Sequence, residues 1–168
     1  MAIVGRGDIS RAITDREGFI FFCAGCSNRE PITLCNKQKE MRQILDSPRD
    51  QMFVYISTLS IYYSYSEYTR HKLHMEDVVK RNFNDYCIFR IGNITFGDNP
   101  NTLLNYFRNA IREDKPIKIE NTYRYLIAED ELNHWTGLIP RWGKHEMNCT
   151  GSRFKVSDIV QLIKNGEL

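Results

Sequence analysis

The 168-residue sequence predicts an α/β fold built on a parallel sheet, and three observations carry that prediction. Apolar runs of strand length alternate with amphipathic segments of about ten to fifteen residues, the pattern of successive βαβ units. One run, Phe19-Ile20-Phe21-Phe22-Cys23-Ala24, is apolar at every position, as a strand covered on both faces must be. The composition is that of an ordinary globule, with 42% hydrophobic and 26% charged residues and a net charge of +2. That balance excludes disordered, collagen-like and membrane-spanning chains and leaves no basic surplus for nucleic acid. The length corresponds to about one domain, with a core burying roughly 70% of the unfolded surface.

Each element follows from local pattern. Residues 2–4 form a short strand that runs into Gly5-Arg6-Gly7, and residues 8–13 a short helix with Asp8 as its N-cap. Thr14-Asp15-Arg16-Glu17-Gly18 breaks it ahead of the apolar run. Residues 36–45 read as a helix stopped by Asp46-Ser47-Pro48-Arg49-Asp50. Met52 to Ile56 is the third strand, ending in Ser57-Thr58; residues 67–81 are a helix and 86–91 the fourth strand. Leu103, Leu104, Phe107 and Ile111 stand at helical spacing. Residues 116–119 and 123–128 are short strand candidates, and 131–138 and 156–164 are helices, the last capped by Ser157 or a neighbour.

The five cysteines, Cys23, Cys26, Cys35, Cys87 and Cys149, are odd in number. Only Ala2, Ile3 and Val4 are apolar ahead of Gly5, so no secretory segment is expected and reduced thiols in a cytoplasm are. Cys23-x-x-Cys26 has no second CxxC or paired-histidine motif beside it, which favours structural thiols and no metal. The charge run 37–42 reads as a solvated helix face, His71 and His74 as surface histidines, and Trp135 and Trp142 as packing of the C-terminal part. Tyr62, Tyr63, Tyr65 and Tyr68 either stack on a base or sugar or pack the rim of a sheet.

Two motifs bear on chemistry. Gly5-Arg6-Gly7 follows a strand and opens a helix, where unpaired backbone N–H groups and the helix dipole favour a diphosphate. Ser10 stands where a third glycine is expected, Asp8 brings a carboxylate to the helix start, and the twentieth residue beyond Gly7 is Ser27 rather than an acid that would hold a ribose. A tight turn that binds nothing is the other reading. Tyr68-x-x-x-Lys72 puts a phenol and an ammonium on one helix face, after a strand ending in two hydroxyls. A lysine near a phenol favours the phenolate, the arrangement needed to take a proton from an alcohol while a hydride leaves.

With these residues the sequence resembles the extended short-chain dehydrogenase/reductase family, the NAD-dependent epimerase/dehydratase group acting on nucleotide sugars. Phe21-Phe22-Cys23-Ala24-Gly25 is similar to its strand beside the cofactor, and Phe53-Val54-Tyr55-Ile56-Ser57-Thr58 with Leu59-Ser60-Ile61-Tyr62 to its V-Y-x-S-S/T-x-x-V-Y segment. Arg90-Ile91-Gly92-Asn93-Ile94-Thr95-Phe96-Gly97 is similar to R-P-x-N-x-Y-G, and Arg124-Tyr125-Leu126-Ile127 with Asp130-Glu131-Leu132 to R-D-F-I…D-D-L. Met147-Asn148-Cys149-Thr150-Gly151 leading into Val156-Ser157-Asp158 resembles the family's closing segment.

The resemblance implies a reduced Rossmann-like parallel sheet flanked by helices, with a small C-terminal α+β substrate-binding part over residues 91–168 of a single domain. It implies Thr58, Tyr68 and Lys72 as the catalytic set and NAD or NADP as cofactor. The cofactor residues it implies are Gly5, Arg6, Gly7, Ile9 and Ser10 at the turn, Ala24 and Gly25, then Ser57, Tyr68 and Lys72, and Ile91, Asn93 and Ile94. Asn93 and Arg124 would meet the nucleotide sugar. Helices 36–45 and 67–81 would form a homodimer. Two departures stand out: the link over residues 14–18 replaces two strands and helices that carry the ribose reader, and the stretch from Thr58 to Tyr68 is short for a substrate-covering loop. A non-catalytic remnant that binds a nucleotide or a protein partner is the alternative expectation.

Overall fold

Alternating apolar and amphipathic segments fold as two sheets in the computed structural model, which describes residues 3–26 and 33–168. Five parallel strands, β1 (Ile3–Val4), β2 (Phe19–Phe22), β3 (Met52–Thr58), β4 (Tyr86–Ile91) and β7 (Lys144–Cys149), lie in the order β1-β2-β3-β4-β7. A smaller sheet joins β5 (Asn93–Ile94), β6 (Tyr123–Ile127) and β8 (Ser152–Lys155), with β8 antiparallel to β6. The helices are α1 (Asp8–Ala12), α2 (Leu34–Leu45), α3 (Glu67–Asn82), α4 (Leu103–Arg112), α5 (Glu129–Gly137) and α6 (Val156–Lys164).

The period of two along each strand sorts the core into two layers. Phe21 pairs in register with Val54, and both face a layer holding Ile9 and Ile13 from the α1 segment and Leu132 of α5. Phe22 pairs with Tyr55, and both face a layer holding Ile44 of α2 and Met75 and Val79 of α3. Both faces of β2 to β4 are therefore covered, which is why their sequences are continuously apolar. Each fully buried Phe side chain contributes about 1.5–3 kcal/mol. A third cluster, with Leu104, Phe107, Ile159 and Val160, packs α4 and α6 against Leu126 of the small sheet.

The layers also fix the winding. The strand order advances in one direction from β1 to β4, yet α1 packs on one face of the sheet while α2 and α3 pack on the other. The β1–α1–β2 connection consequently has the opposite hand to β2–α2–β3, against the strong rule that such connections share one hand. β1 ends at the open edge of the sheet, which agrees with the shortened link over residues 14–18.

Several expectations are corrected. Gly7, not Asp8, is the N-cap of α1, and Asp8 is its first helical residue. Residues 116–119 form no strand, since Pro116 lacks a donor and Ile119 is half exposed. β7 was unforeseen because Lys144-His145-Glu146-Met147-Asn148-Cys149 is a polar edge strand held through its ladder with β4. Lys155 occupies the N-cap of α6, and the Ser157 hydroxyl donates to Asp158 instead. Trp142 is largely exposed, whereas Trp135 is only partly so and meets the His134 ring edge-on. Cys87 and Cys149 are buried and Cys35 is exposed, and burial pushes the Cys23, Cys87 and Cys149 thiols up to about 12. Among the described residues no helix is long and apolar enough to cross a membrane.

Candidate functional site

The carboxyl ends of the central strands and the small sheet enclose a cleft of about 670 Å³. The end of β3 contributes Ser57 and Thr58, α3 contributes Tyr68 and Lys72, and the end of β4 contributes Ile91. Asn93 and Ile94 of β5 and Arg124 of β6 face them, and Gly7 and Ile9 close the side toward the glycine turn. A second cavity of about 710 Å³ lies beside β1 and α2, where Gly5, Arg6, Ala24 and Lys39 line it. Gly7, Cys23, Gly25 and Cys26 line both. Of the expected site residues only Ser10 lines neither, because its hydroxyl turns back to donate to the Gly7 carbonyl at 2.7 Å.

Local chemistry explains the placements. Ser66 opens α3 with a capping box: its hydroxyl accepts from Thr69 N at 3.2 Å, and the Thr69 hydroxyl accepts from Ser66 N at 2.9 Å. That start puts Tyr68 in the first turn, half-buried on the cleft, and Lys72 one turn further in. Thr58 Oγ1 accepts from Ser60 N at 3.1 Å and caps a 3₁₀ turn, Leu59–Tyr62, through which the short connection toward Tyr68 passes. Ser57 is buried behind it, donating to Glu76 at 2.6 Å. Glu76 is held in turn by Arg90 through bonds of 2.9 and 2.5 Å.

On the opposite wall Gly92 passes so close to β6 that a Cβ would lie 2.6 Å from the Tyr125 carbonyl oxygen. Asn93 Nδ2 donates to that same oxygen at 3.2 Å. Arg124 is held by Glu120 at 3.0 Å and by Thr122 at 3.2 Å, with its guanidinium 5.6 Å from the Tyr63 ring. Tyr62, Tyr63 and Tyr65 are exposed, although the Tyr62 hydroxyl accepts from Arg90 and donates to Asn148.

The largest correction concerns Glu40 and His71. Both are buried, although the run 37–42 reads as solvated and His71 as a surface residue; His74 is exposed as expected. Glu40 Oε1 accepts from the Tyr55 hydroxyl at 2.7 Å and lies 3.5 Å from Lys72 Nζ. Its Oε2 accepts from Cys26 N at 2.9 Å and pairs with His71 Nε2 at 2.8 Å. Lys72 also donates to the Tyr55 hydroxyl at 3.1 Å. Burial alone would push the Glu40 carboxyl up, but His71, Lys72, Cys26 N and Tyr55 together hold it well below the usual range. Burial and the Glu40 charge push the Tyr55 phenol well up, so it stays neutral. The sequence did carry a signal: Glu40 stands four residues before buried Ile44, and His71 four before buried Met75, so each occupies an apolar stripe.

Cys26, Glu40 and His71 offer ligand atoms within 4.8 Å of one another, the only grouping of three such residues among those described. Asp8 is buried too. Its carboxylate pairs with Arg11 and accepts from Asn99 N at 3.1 Å, tying the glycine turn to the loop after β5. A Cβ on Gly97 would lie 2.2 Å from Asp8 Cγ, so only glycine passes there. Ser27, the position counted for a ribose reader, lies outside the described residues.

Fold and cleft together define a class: a Rossmann-like parallel sheet, open at one edge, with Tyr-x-x-x-Lys on the helix after a strand ending in two hydroxyls. No protein-family model matches the sequence, and no curated protein does. Solved structures in complex with NAD share the fold. WbmH of Bordetella bronchiseptica, in complex with NAD+, matches 87% of this chain at 14% identity and a TM-score of 0.72. WbmG of the same organism, with NAD and UDP, matches 88% at 10% identity and a TM-score of 0.69. A UDP-glucuronic acid 4-epimerase variant from Bacillus cereus, with NAD and a fluorinated UDP-sugar, matches 94% at 18% identity and a TM-score of 0.68. The chain spans 57%, 55% and 62% of those proteins respectively.

Proposed function

We propose that this chain is a minimal NAD(P)-dependent oxidoreductase, epimerase or dehydratase acting on a nucleotide sugar through Thr58, Tyr68 and Lys72. The observation that carries the reading is the convergence of these three side chains on one cleft, opposite Asn93 and Arg124. The residues suit the nicotinamide end of such a cofactor. Gly25 leaves a cradle in which a Cβ would lie 2.2 Å from Lys72 Nζ, and Ile91 and Ile94 supply an apolar wall. Arg6 and Lys39 put positive charge into the adjoining cavity, where a diphosphate would lie. The structural neighbours crystallised with NAD and UDP or a UDP-sugar support both ligands.

When bound, the cofactor supplies a two-electron acceptor or donor at its nicotinamide ring. Tyr68 takes the proton from a sugar hydroxyl and returns it in the reverse direction. Lys72 sets the field at that phenol and would hold the ribose. Thr58 orients the reacting hydroxyl, and Arg124 faces the substrate diphosphate. Residues 91–168 act as the substrate-side lobe of one cytoplasmic domain, and α2 and α3, with Leu34, Leu45 and Leu73 exposed, pair it into a homodimer.

A second reading, a non-catalytic remnant that binds a nucleotide or a partner, is favoured by Asp8 at the glycine turn and by β1 at the bare edge. Titration of NADH and NADPH separates the two. Enzyme function predicts fluorescence enhancement at or below millimolar cofactor, with turnover lost in Tyr68→Phe. Absence of any binding refutes it.

A further inference from the structure

Nothing in the family resemblance assigns a role to Glu40, Tyr55 or His71, yet they build a buried polar cluster in which both Glu40 oxygens are bonded, and His71 Nδ1 is left without a partner. Four separate elements meet at the Glu40 carboxylate: α2 carries it, β3 brings Tyr55, α3 brings His71 and Lys72, and the segment after β2 brings the backbone N–H of Cys26. Lys72 is only 4% exposed, so its charge needs a buried counter-ion. We propose that Glu40 is a positioning residue: with Tyr55 it fixes the Lys72 ammonium at the waist between the two cavities, and His71 locks Glu40 from behind. The inference rests on the functional reading above, since the ammonium matters there only if a cofactor meets it.

The geometry favours this role over a metal site. Cys26, Glu40 and His71 lie close enough to ligate a divalent ion, but both Glu40 oxygens already have two partners each. Lys72 Nζ, 3.5 Å from Oε1, is itself the cation of the cluster. Gly25 completes the device. It lines both cavities, and a Cβ there would lie 2.2 Å from Nζ and 2.8 Å from Glu40 Oε1, so the ammonium is presented toward the ligand space past bare backbone. A lysine without such anchors would distribute over many rotamers, and ordering it would be left to the ligand. Tyr55 is the stiffest anchor, fully buried on the central strand and neutral.

A double-mutant cycle on cofactor affinity tests the inference, read by fluorescence of whichever of NADH and NADPH the wild-type protein binds. Glu40→Gln weakens binding about tenfold, the scale of one charged hydrogen bond. In a Lys72→Met background the same substitution changes affinity less than about twofold, because Glu40 acts only through the lysine. Tyr55→Phe removes one anchor without changing the packing and repeats the pattern with a smaller loss, of about threefold. It carries the test alone if Glu40→Gln does not fold. Equal losses in both backgrounds overturn the positioning role, as does cofactor binding that chelator abolishes and zinc restores. A wild-type protein that binds neither cofactor defeats the functional reading and takes this inference with it.

Discussion

Replacing Arg90 with methionine tests the electrostatics of the fold independently of any activity. Arg90 is 6% exposed and joins β4 to three other elements: Glu76 of α3 at 2.9 and 2.5 Å, Glu146 of β7 at 2.7 Å, and the Tyr62 hydroxyl of the 3₁₀ turn at 3.0 Å. Burial pulls its guanidinium down, but the two carboxylates outweigh that and hold it above its ordinary value. Arg90→Met leaves Glu76, itself 1% exposed, with Ser57 as its remaining partner. Removing one member of a buried pair costs about 3–5 kcal/mol. At about 2–4 °C per kcal/mol for a chain of this size, the melting midpoint falls by roughly 6–20 °C. Glu76→Leu costs a similar amount by the same logic. The double variant Arg90→Met/Glu76→Leu removes both charges and recovers to within about 2 kcal/mol of wild type. Thermal and urea unfolding followed by far-ultraviolet circular dichroism read all four proteins. A double variant that loses the full sum of the two single losses refutes the coupled pair.

The remaining predictions concern pH, backbone and thiols. The folded Glu40 carboxyl is held below its unfolded value of about 4.3, so its contribution is fully present above that pH and fades as the pH falls below it. The stability gap between wild type and Glu40→Gln, measured by urea midpoint, therefore narrows from pH 7 to pH 3; a constant gap contradicts it. Gly5 has φ of +137°, and a Cβ there would lie 2.9 Å from the Cys23 carbonyl carbon, so Gly5→Ala loses about 1–3 kcal/mol in the same assay. With a thiol reagent at pH 8 the exposed Cys35 is labelled first, whereas Cys87 and Cys149, pushed to about 12, react only on unfolding. Early labelling of Cys87, read by peptide mass, contradicts its buried place in β4.

Sequence legibility followed hydrophobic periodicity. β2, β3 and β4 were visible because strands covered on both faces have no polar register to hide in, and α4 was visible through Leu103, Leu104, Phe107 and Ile111. β7 and β8 were not, because an edge strand is held by its ladder while its side chains face water. Spacing put Tyr68 and Lys72 on one helix face, the family resemblance singled out Thr58, and all three line one cleft. Glu40 and His71 escaped because single-sequence reading takes charge as a sign of exposure. Only the meeting of α2 with α3 buries the two side chains against each other.

β1 has a consequence for how any ligand would be felt by the molecule. It pairs over only two residues, with Ile3 against Phe21 and Val4 against Phe22, and Cys23 N donates to Val4 O at 2.7 Å. Beyond it α1 is only five residues long. Such an attachment opens far more often than the β3–β4 ladder, so its amides exchange with solvent early while the central strands stay protected. A ligand gripping the glycine turn would suppress that local opening. Occupancy would then be written in deuterium uptake at residues 4–12, long before any change reached the centre of the sheet.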